Sequence, residues 1–151
     1  MERYMADKTL VIVSGYFSPL HCGHLDYLEA GAALGDRLVV IVNNDLQQKK
    51  KKGKVILPQL DRLRIVKALS IVDEACVAID DDSSVKKTIE SIALKNQLSN
   101  LIFANGGDRN QPSDIPEVGT CLEHNIKLIF GVGGSTKRDS STRINTELGI
   151  E

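Results

Sequence analysis

The sequence predicts an α/β fold in which one open, parallel, five-stranded sheet carries helices on both faces. Five short apolar segments alternate along the chain with stretches of helical spacing. These apolar segments are continuous and rich in β-branched residues, as is typical of strands buried on both faces of a parallel sheet. The 151 residues have the length of a single domain, in which we expect residues 1–8 to be a flexible tail.

The first three elements predict a strand–helix–strand unit. Residues 10–13 form an apolar strand, and residues 24–34 have the spacing of a helix that ends near Gly35. The inward positions of that helix are Leu25, Leu28 and Ala32. Residues 37–42 form the second strand, so the connection is expected to be a right-handed crossover.

The remaining elements follow in the same alternation. We expect helices at residues 60–69, 85–94, 116–124 and 143–148, strands at 75–79, 101–104 and 126–130, and a loop at 131–134. In the first of these helices the apolar residues placed inward are Leu60, Leu63, Ile65 and Val66. Three adjacent aspartates at 80–82 suggest either a metal site or helix caps, and their position before a helix favours caps.

A lysine-rich run, residues 49–54, directly follows the second strand. One interpretation is a solvated, mobile loop, which is what a charge run usually is. The other is a flexible basic loop that closes over a triphosphate, because ligands of open α/β sheets bind at the carboxyl ends of the strands. The position of the run favours the second interpretation.

Two of the three histidines lie in one turn, residues 14–24, between the first strand and the first helix. A helix start offers unpaired N–H groups and the positive end of the helix dipole. His21 and His24 are one turn apart and can both face an anion there. The turn therefore predicts a phosphate site with two histidine donors, and the alternative is two unrelated histidines, one buried and one exposed.

Composition excludes several other classes. The net charge of −1 gives no indication of nucleic-acid binding. Three widely spaced cysteines, Cys22, Cys76 and Cys121, argue against a disulfide framework or a zinc site. No apolar run approaches the ~20 residues of a membrane helix, and the N-terminus has no apolar signal region. We therefore expect a cytoplasmic protein without a membrane partner.

No strand is followed by G-x-G-x-x-G, and no G-x-x-x-x-G-K-[ST] loop is present, so dehydrogenase and P-loop functions lose their main support. Instead, three polar stretches follow predicted strands. They are the histidine turn, residues 105–109, and the loop that leads to Ser140. An open parallel sheet places its ligand at such strand ends.

The histidine turn resembles the first signature of the cytidylyltransferase-like nucleotidyltransferases, G-x-F-D-x-x-H-x-G-H, and stands here as GYFSPLHCGH at residues 15–24. Further motifs of the family follow in the same order, so that the resemblance extends over about 130 residues. Its further segments are residues 34–40 (LGDRLVV), the Lys49–Lys54 run, Arg62 with Val66, Ala68 and Leu69, Val72-Asp73, Gly106-Gly107-Asp108, and Ser140-Ser141-Thr142. Ser18 in place of the usual aspartate and the sequence Lys137-Arg138-Asp139 depart from the family pattern.

This resemblance implies a Rossmann-like fold and a nucleotidyltransferase. Such an enzyme transfers a nucleoside monophosphate from ATP or CTP to the phosphate of a small sugar or alcohol and releases pyrophosphate. Gly106-Gly107-Asp108 is most similar to the heptose-phosphate adenylyltransferases and favours ATP. One alternative is a cytidylyltransferase acting on glycerol-3-phosphate or another small phosphate or phosphonate. The other is a catalytically silent nucleotide-binding module.

The resemblance also implies roles for individual residues. The expected catalytic residues are His21, His24, Lys51, Lys54 and Arg62. The expected nucleotide-binding residues are Gly15, Tyr16, Phe17, Gly23, Gly106, Asp108, Ser140, Ser141 and Thr142, and the expected acceptor-binding residues are Ser18, Asn43, Asn44 and Arg109. Mg²⁺ is expected as a companion of the triphosphate, without identified protein ligands. The expected partners are these small molecules and a second copy of the chain in a homodimer.

Overall fold

The structure is a computed structural model that describes residues 8–106, 115–134 and 140–149. Its five strands are Thr9–Gly15 (β1), Arg37–Val42 (β2), Glu74–Val77 (β3), Asn100–Gly106 (β4) and Lys127–Val132 (β5). Neighbouring strands pair in parallel in the order β3-β2-β1-β4-β5. The predicted open, parallel, five-stranded sheet is therefore confirmed, and most of the predicted tail lies outside the described residues.

Helices cover both faces of the sheet, as predicted. They are Cys22–Ala32 (α1), Asp45–Lys52 (α2), Gln59–Lys67 (α3), Lys86–Lys95 (α4), Val118–Glu123 (α5) and Ser141–Glu147 (α6). Leu10 and Ile12 of β1 pack on the side of α4 and α5, whereas Val11 and Val13 pack on the side of α1 and α3. This alternation explains why residues 10–13 of the strand are all apolar, since each of its faces meets a hydrophobic layer.

The strand order reverses between β1 and β4. From β1 the chain builds outward through β2 and β3, then returns to the other side of β1 as β4 and β5. The paired register of β1 and β4 ends at Ile12 and Phe103, although β1 continues to Gly15 and β4 to Gly106. The carboxyl ends of these two strands thus border a crevice at the position where open α/β sheets bind ligands.

The lysine run is not a flexible loop, which corrects that expectation. Lys49 to Lys52 form the second half of α2. The helix begins at the Asn44 cap, where Asn44 and Gln47 form a capping box, and it ends at Gly53, whose φ of 81° is left-handed. Four lysines in the last turn interact favourably with the negative end of the helix dipole. These caps and the dipole favour a helix that has no apolar periodicity.

The inward face of α3 also differs from the prediction. Leu60 is 67% exposed and Ile65 is 44% exposed, whereas Arg62 and Val66 are fully buried. The reason is that the Arg62 side chain enters the interior, where hydrogen-bond acceptors surround it. The helix is therefore rotated so that positions 62 and 66 face the sheet.

The ends of several elements shift by a few residues. β3 ends at Val77, β5 continues to Val132 through part of the predicted loop, α5 is shorter than predicted, and α6 begins at Ser141. The aspartate segment caps α4 as expected. The Asp80 carboxylate accepts from the N–H groups of Lys87 and Thr88 and from the Thr88 hydroxyl, and Asp82 accepts from the Ser84 N–H and hydroxyl.

Candidate functional site

The histidine turn lies at the carboxyl end of β1, the central strand of the sheet. Phe17 is 2% exposed and has a φ of 53°, which is uncommon for a residue other than glycine. Its ring packs so closely on Gly15 that a Cβ there would lie 2.9 Å from the Phe17 Cζ. A larger residue at position 15 would therefore force the Phe17 ring to move, and residues 15 and 17 together shape the turn that leads to the histidines.

His21 and His24 cap α1 reciprocally. The His21 Nδ1 accepts a hydrogen bond from the Gly23 N–H at 3.1 Å, and the His24 Nδ1 accepts one from the His21 N–H at 3.2 Å. The two rings stack with their centroids 3.8 Å apart. This is a capping box in which imidazoles replace the usual hydroxyl and carboxylate.

The capping bonds determine which ring nitrogen carries the proton when each imidazole is neutral. A nitrogen that accepts a hydrogen bond carries no proton, so the proton of each neutral imidazole is on Nε2. Burial, and to a smaller extent the charge of His21, lower the pKa of His24 from 6.5 to about 3. At neutral pH His24 is therefore an uncharged Nε2–H donor, and the structure brings it together with His21 as the sequence predicted.

Arg62, which was predicted to be catalytic, is buried and bonded within the protein. Its guanidinium is completely buried and donates to the carbonyls of Leu57, Tyr16 and Asn43 at 2.8, 2.9 and 2.6 Å. A fourth bond, 2.9 Å long, goes to the Asp45 carboxylate. These bonds join the chain just beyond β1 and β2 to α3, and the buried guanidinium thereby holds the two strand ends and α3 together.

Asn43 and Asn44, which were predicted to bind the acceptor, are likewise held by bonds within the protein. The Asn43 Nδ2 donates to the Gln47 Oε1 at 3.1 Å. The Asn44 Oδ1 accepts from the Gln47 N–H, and its Nδ2 donates to the carbonyls of Ala78 and Asp80 at 2.9 and 2.8 Å. These amides fix the start of α2 against the end of β3.

Ser18, where the family signature has aspartate, is buried with 3% of its surface exposed. Its hydroxyl accepts from the Gln48 Nε2 at 2.7 Å, and its carbonyl accepts from the Asn145 Nδ2 at 3.1 Å. The Gln48 Oε1 is buried and has no hydrogen-bond partner among the described residues. A neutral, buried polar cluster therefore joins the turn to α2 and α6, and Ser18, which was predicted to bind the acceptor, is part of this cluster.

The lysines of α2 extend toward the histidine turn and α6. The Lys51 Nζ lies 4.5 Å from the centroid of the Tyr16 ring, and the Lys52 Nζ donates to the Thr142 Oγ1 at 2.8 Å. The Lys50 Nζ donates instead to the Asp81 carbonyl at 2.6 Å. Lys54 follows the helix and is exposed.

The start of α6 lies beside the same turn. Ser140 caps the helix by accepting from the Arg143 N–H, and the Ser141 hydroxyl donates to the Pro19 carbonyl at 2.9 Å. The predicted hydroxyl residues and Lys52 therefore meet at the histidine turn. Gly106 ends β4 at the crevice. Gly107, Asp108 and Arg109 lie outside the described residues, and so do Lys137, Arg138 and Asp139.

Tyr27 was not predicted as a site residue. It lies one turn after His24 on α1, and its hydroxyl donates to the Ala104 carbonyl at 2.6 Å. Its spacing of three residues from His24 is the signal that could have revealed it. Gln48 was also missed, because in the sequence it is one polar residue at the edge of a charge run.

A different part of the described chain brings possible metal ligands together. Glu90, Glu123 and His124 place one ligand atom each within 4.8 Å of one another. They lie on α4 and at the end of α5, on the opposite face of the sheet from α1. Among the described helices, none is long and apolar enough to cross a bilayer.

Several known proteins have sequences similar to this chain. The bifunctional protein HldE of Streptomyces coelicolor is 36% identical over 117 residues, which are 76% of this chain and 23% of HldE. The FAD synthase of Pyrococcus horikoshii is 30% identical over 135 residues, which cover 73% of this chain and 91% of that enzyme. A FAD synthase of Methanothrix thermoacetophila is 51% identical over 67 residues. The chain spans about a quarter of HldE and about half of the Methanothrix enzyme.

Solved structures share the fold. The lipopolysaccharide core biosynthesis protein of Thermoplasma volcanium superposes with a TM-score of 0.64 at 26% identity, over 87% of this chain and 99% of that one. A nicotinate-nucleotide adenylyltransferase from Vibrio parahaemolyticus, described as such provisionally, is 17% identical and shares the fold, with a TM-score of 0.64. The profile of the cytidylyltransferase-like family matches residues 12–146. The chain therefore belongs to the cytidylyltransferase-like family.

Proposed function

We propose that the protein is a nucleotidyltransferase that uses ATP in preference to CTP and transfers the nucleoside monophosphate to the phosphate of a small acceptor. An acceptor phosphate oxygen forms a new bond to the α-phosphorus, the bond from that phosphorus to the β-bridging oxygen breaks, and pyrophosphate leaves. The observation that carries this proposal is the reciprocal cap of His21 and His24. It places two imidazole N–H donors at a helix start, at the end of the central strand.

The chemistry fits such a site because it requires positioning and charge stabilisation more than a strong base. The acceptor phosphate is already ionised at neutral pH, so its oxygen is nucleophilic without proton removal. Negative charge develops on the α-phosphate oxygens and on the leaving pyrophosphate. The Nε2–H groups of His21 and His24 are the donors that we propose for this charge. The low pKa of His24 means that it acts as a neutral hydrogen-bond donor, not as an acid.

The positive charge is supplied by α2. Lys51 and Lys52 extend from its last turn toward the turn residue Tyr16 and the α6 residue Thr142, and Lys54 follows. Phosphate oxygens would compete with the Thr142 hydroxyl for the Lys52 ammonium. We propose that Lys52 leaves Thr142 and binds a phosphate oxygen when the triphosphate binds. The Ser141 and Thr142 hydroxyls would then complete the triphosphate site.

Mg²⁺ would enter with the triphosphate. The donors of the described site are imidazole N–H, ammonium and hydroxyl groups, whereas Mg²⁺ prefers carboxylate, phosphate and water oxygens. Phosphate oxygens therefore remain the main ligands that we propose for the ion.

Two acceptor classes follow from different observations. The similarity to HldE and the Gly106 segment favour a sugar phosphate. The match over 91% of the Pyrococcus FAD synthase favours a nucleotide-type acceptor, since FAD is AMP joined through pyrophosphate to a flavin mononucleotide. Both classes present a terminal phosphate to the same α-phosphorus, so the histidine site serves either one.

Incubation with ATP or CTP, Mg²⁺ and a panel of acceptors tests the proposal. The panel contains flavin mononucleotide, sugar 1-phosphates and glycerol-3-phosphate, and the measurements are pyrophosphate release and the mass of the conjugate. We expect ATP to give a conjugate with one acceptor class. Faster turnover with CTP would make the protein a cytidylyltransferase. Nucleotide binding without pyrophosphate release across the panel would make it a silent binding module.

A further inference from the structure

The hydrogen bonds between β1 and β4 stop one step before the strands end. The Asn100 N–H donates to the Lys8 carbonyl at 2.9 Å, and the paired register continues to Ile12 and Phe103. Bonds in a parallel ladder recur every two residues along each strand. Extending this series places the Ser14 N–H opposite the Ala104 carbonyl, so a direct bond between these two groups would come next.

The Tyr27 hydroxyl occupies the position of that bond. It donates to the Ala104 carbonyl at 2.6 Å, and the Ser14 N–H donates to it at 3.4 Å. One phenol oxygen thus stands between two backbone groups that would otherwise pair. We propose that Tyr27 is a positioning residue that holds the ends of β1 and β4 apart, so that the crevice between them admits the nucleotide.

Close packing fixes Tyr27 in this position. Gly133, in the turn after β5, approaches so closely that a Cβ there would lie 2.9 Å from the Tyr27 Cα. The φ of Gly133 is 88°, which also favours glycine. A Cβ on Gly106 would lie 3.9 Å from the Tyr27 Cδ1. Tyr27 therefore contacts the ends of β1 and β4 and the turn that follows β5.

The consequence concerns substrate binding. Directly paired strands lie about 4.8 Å apart, which leaves no space for a ligand between them. Open α/β sheets bind nucleotides where the strand order reverses, and in this chain that is between β1 and β4. This inference rests on the proposed function in assigning a nucleotide to the crevice. The position of the hydroxyl between the strands is a separate, structural claim.

The substitution Tyr27→Phe tests both claims, because it keeps the ring and removes only the hydroxyl. We expect the KM for ATP, and the Kd for a non-hydrolysable ATP analogue, to rise about tenfold, a free-energy difference of about 1.4 kcal/mol. We expect kcat to change by less than about threefold, because the histidines are untouched. Amide hydrogen exchange at Ser14 should change, because its N–H loses the hydroxyl: exchange slows if the N–H then pairs directly with the Ala104 carbonyl, and accelerates if no acceptor replaces the hydroxyl.

A matched control is Thr88→Val. Thr88 on α4 also has a buried hydroxyl that accepts from a backbone N–H, that of Ile79, and donates to a nearby acceptor, Asp80. It lies on the α4 side of the sheet, away from the histidine turn, so its loss should lower stability without changing the KM for ATP. This control separates a general loss of stability from an effect on the crevice.

The outcomes distinguish the two proposals. A KM and Kd within twofold of the wild-type values overturn the role of Tyr27 in nucleotide positioning. If the wild-type protein binds no nucleotide and releases no pyrophosphate, the proposed function fails. Exchange at Ser14 then decides the structural claim by itself, since an unchanged rate in Tyr27→Phe shows that the hydroxyl does not bridge the strands, and a changed rate, in either direction, shows that it does.

Discussion

At the scale of single residues, His21 and His24 combine a structural and a proposed chemical function in one pair of rings. The His21 Nδ1 accepts from the Gly23 N–H of α1, the His24 Nδ1 accepts from the N–H of the cap residue His21, and the Nε2 of each ring is left to donate. The orientation of the donors is thus fixed by the same bonds that start the helix. Pre-oriented donors stabilise developing charge without reorganisation during the reaction, which explains why the pair belongs at the end of the central strand.

The low pKa of His24 predicts a dependence of stability on pH. Because the pKa is about 3 in the folded protein and near 6.5 when unfolded, the unfolded chain binds more protons between these values. Stability from this group is therefore complete above pH 6.5 and decreases as the pH falls toward 3. We expect a loss of about 1–2 kcal/mol between pH 7 and pH 5 from urea unfolding.

The variant His24→Gln isolates this contribution. Glutamine at this position keeps an acceptor for the capping bond but does not titrate. The difference in the free energy of unfolding between wild type and His24→Gln should therefore change with pH by the same 1–2 kcal/mol. Parallel pH curves for the two proteins would show that His24 is not a buried neutral histidine.

At the scale of secondary structure, the site depends on how α2, α3 and α6 meet the turn after β1. Arg62 of α3 bonds to the carbonyls of Tyr16 and Asn43, the residues just beyond β1 and β2. Lys52 of α2 bonds to Thr142 of α6, and Asn145 of α6 bonds to the Ser18 carbonyl. The basic groups are thus presented by a capped helix, so their positions are defined before a triphosphate arrives.

Arg62→Met should mainly lower stability. It leaves the Asp45 carboxylate and three backbone carbonyls without their buried partner, a loss of about 3–5 kcal/mol. Arg64→Met, an exposed position on the same helix, should change stability by less than about 0.5 kcal/mol. Denaturant unfolding measures both. A stable Arg62→Met protein without activity would instead support the original prediction of a phosphate ligand.

The lysines of α2 should act on the triphosphate rather than on the fold. Replacing Lys51, Lys52 and Lys54 together by alanine should raise the KM for the nucleotide about tenfold or more, since Lys–phosphate attraction is lost. The thermal midpoint should remain near the wild-type value, because alanine favours helices. Alanine at the exposed Lys67, Lys86 and Lys95 is the control with the same change in charge. If both triple variants raised the KM equally, the lysines of α2 would contribute only through the net charge of the protein.

At the scale of the whole molecule, the sequence predicts the sheet better than the site. β1 and β2 were recognisable because continuous apolar runs have few alternatives to buried parallel strands. The location of the histidine turn followed from its position after such a strand. The helix α2 was missed because caps and dipole stabilise it rather than apolar periodicity.

The roles of Arg62, Asn44 and Tyr27 depend on acceptors that are far away in the sequence. Arg62 is 46 residues from the Tyr16 carbonyl that it bonds, and Tyr27 is 77 residues from Ala104. A charged residue on a helix is usually exposed, so its burial follows only from the arrangement of strand ends around it. Such contacts require the folded structure because no local pattern encodes them.

The most direct test of the histidine site measures pyrophosphate release in variants that keep the cap. His21→Asn and His24→Gln both retain an acceptor for the capping bonds but lack the imidazole Nε2–H. His124→Ala, at the third histidine on the other face of the sheet, is the control. We expect the first two variants to lose about 10²–10⁴-fold in turnover with thermal midpoints close to the wild type, while the control keeps its activity. Near-normal turnover in both cap-preserving variants would contradict the account, because the histidines would then serve only to start the helix.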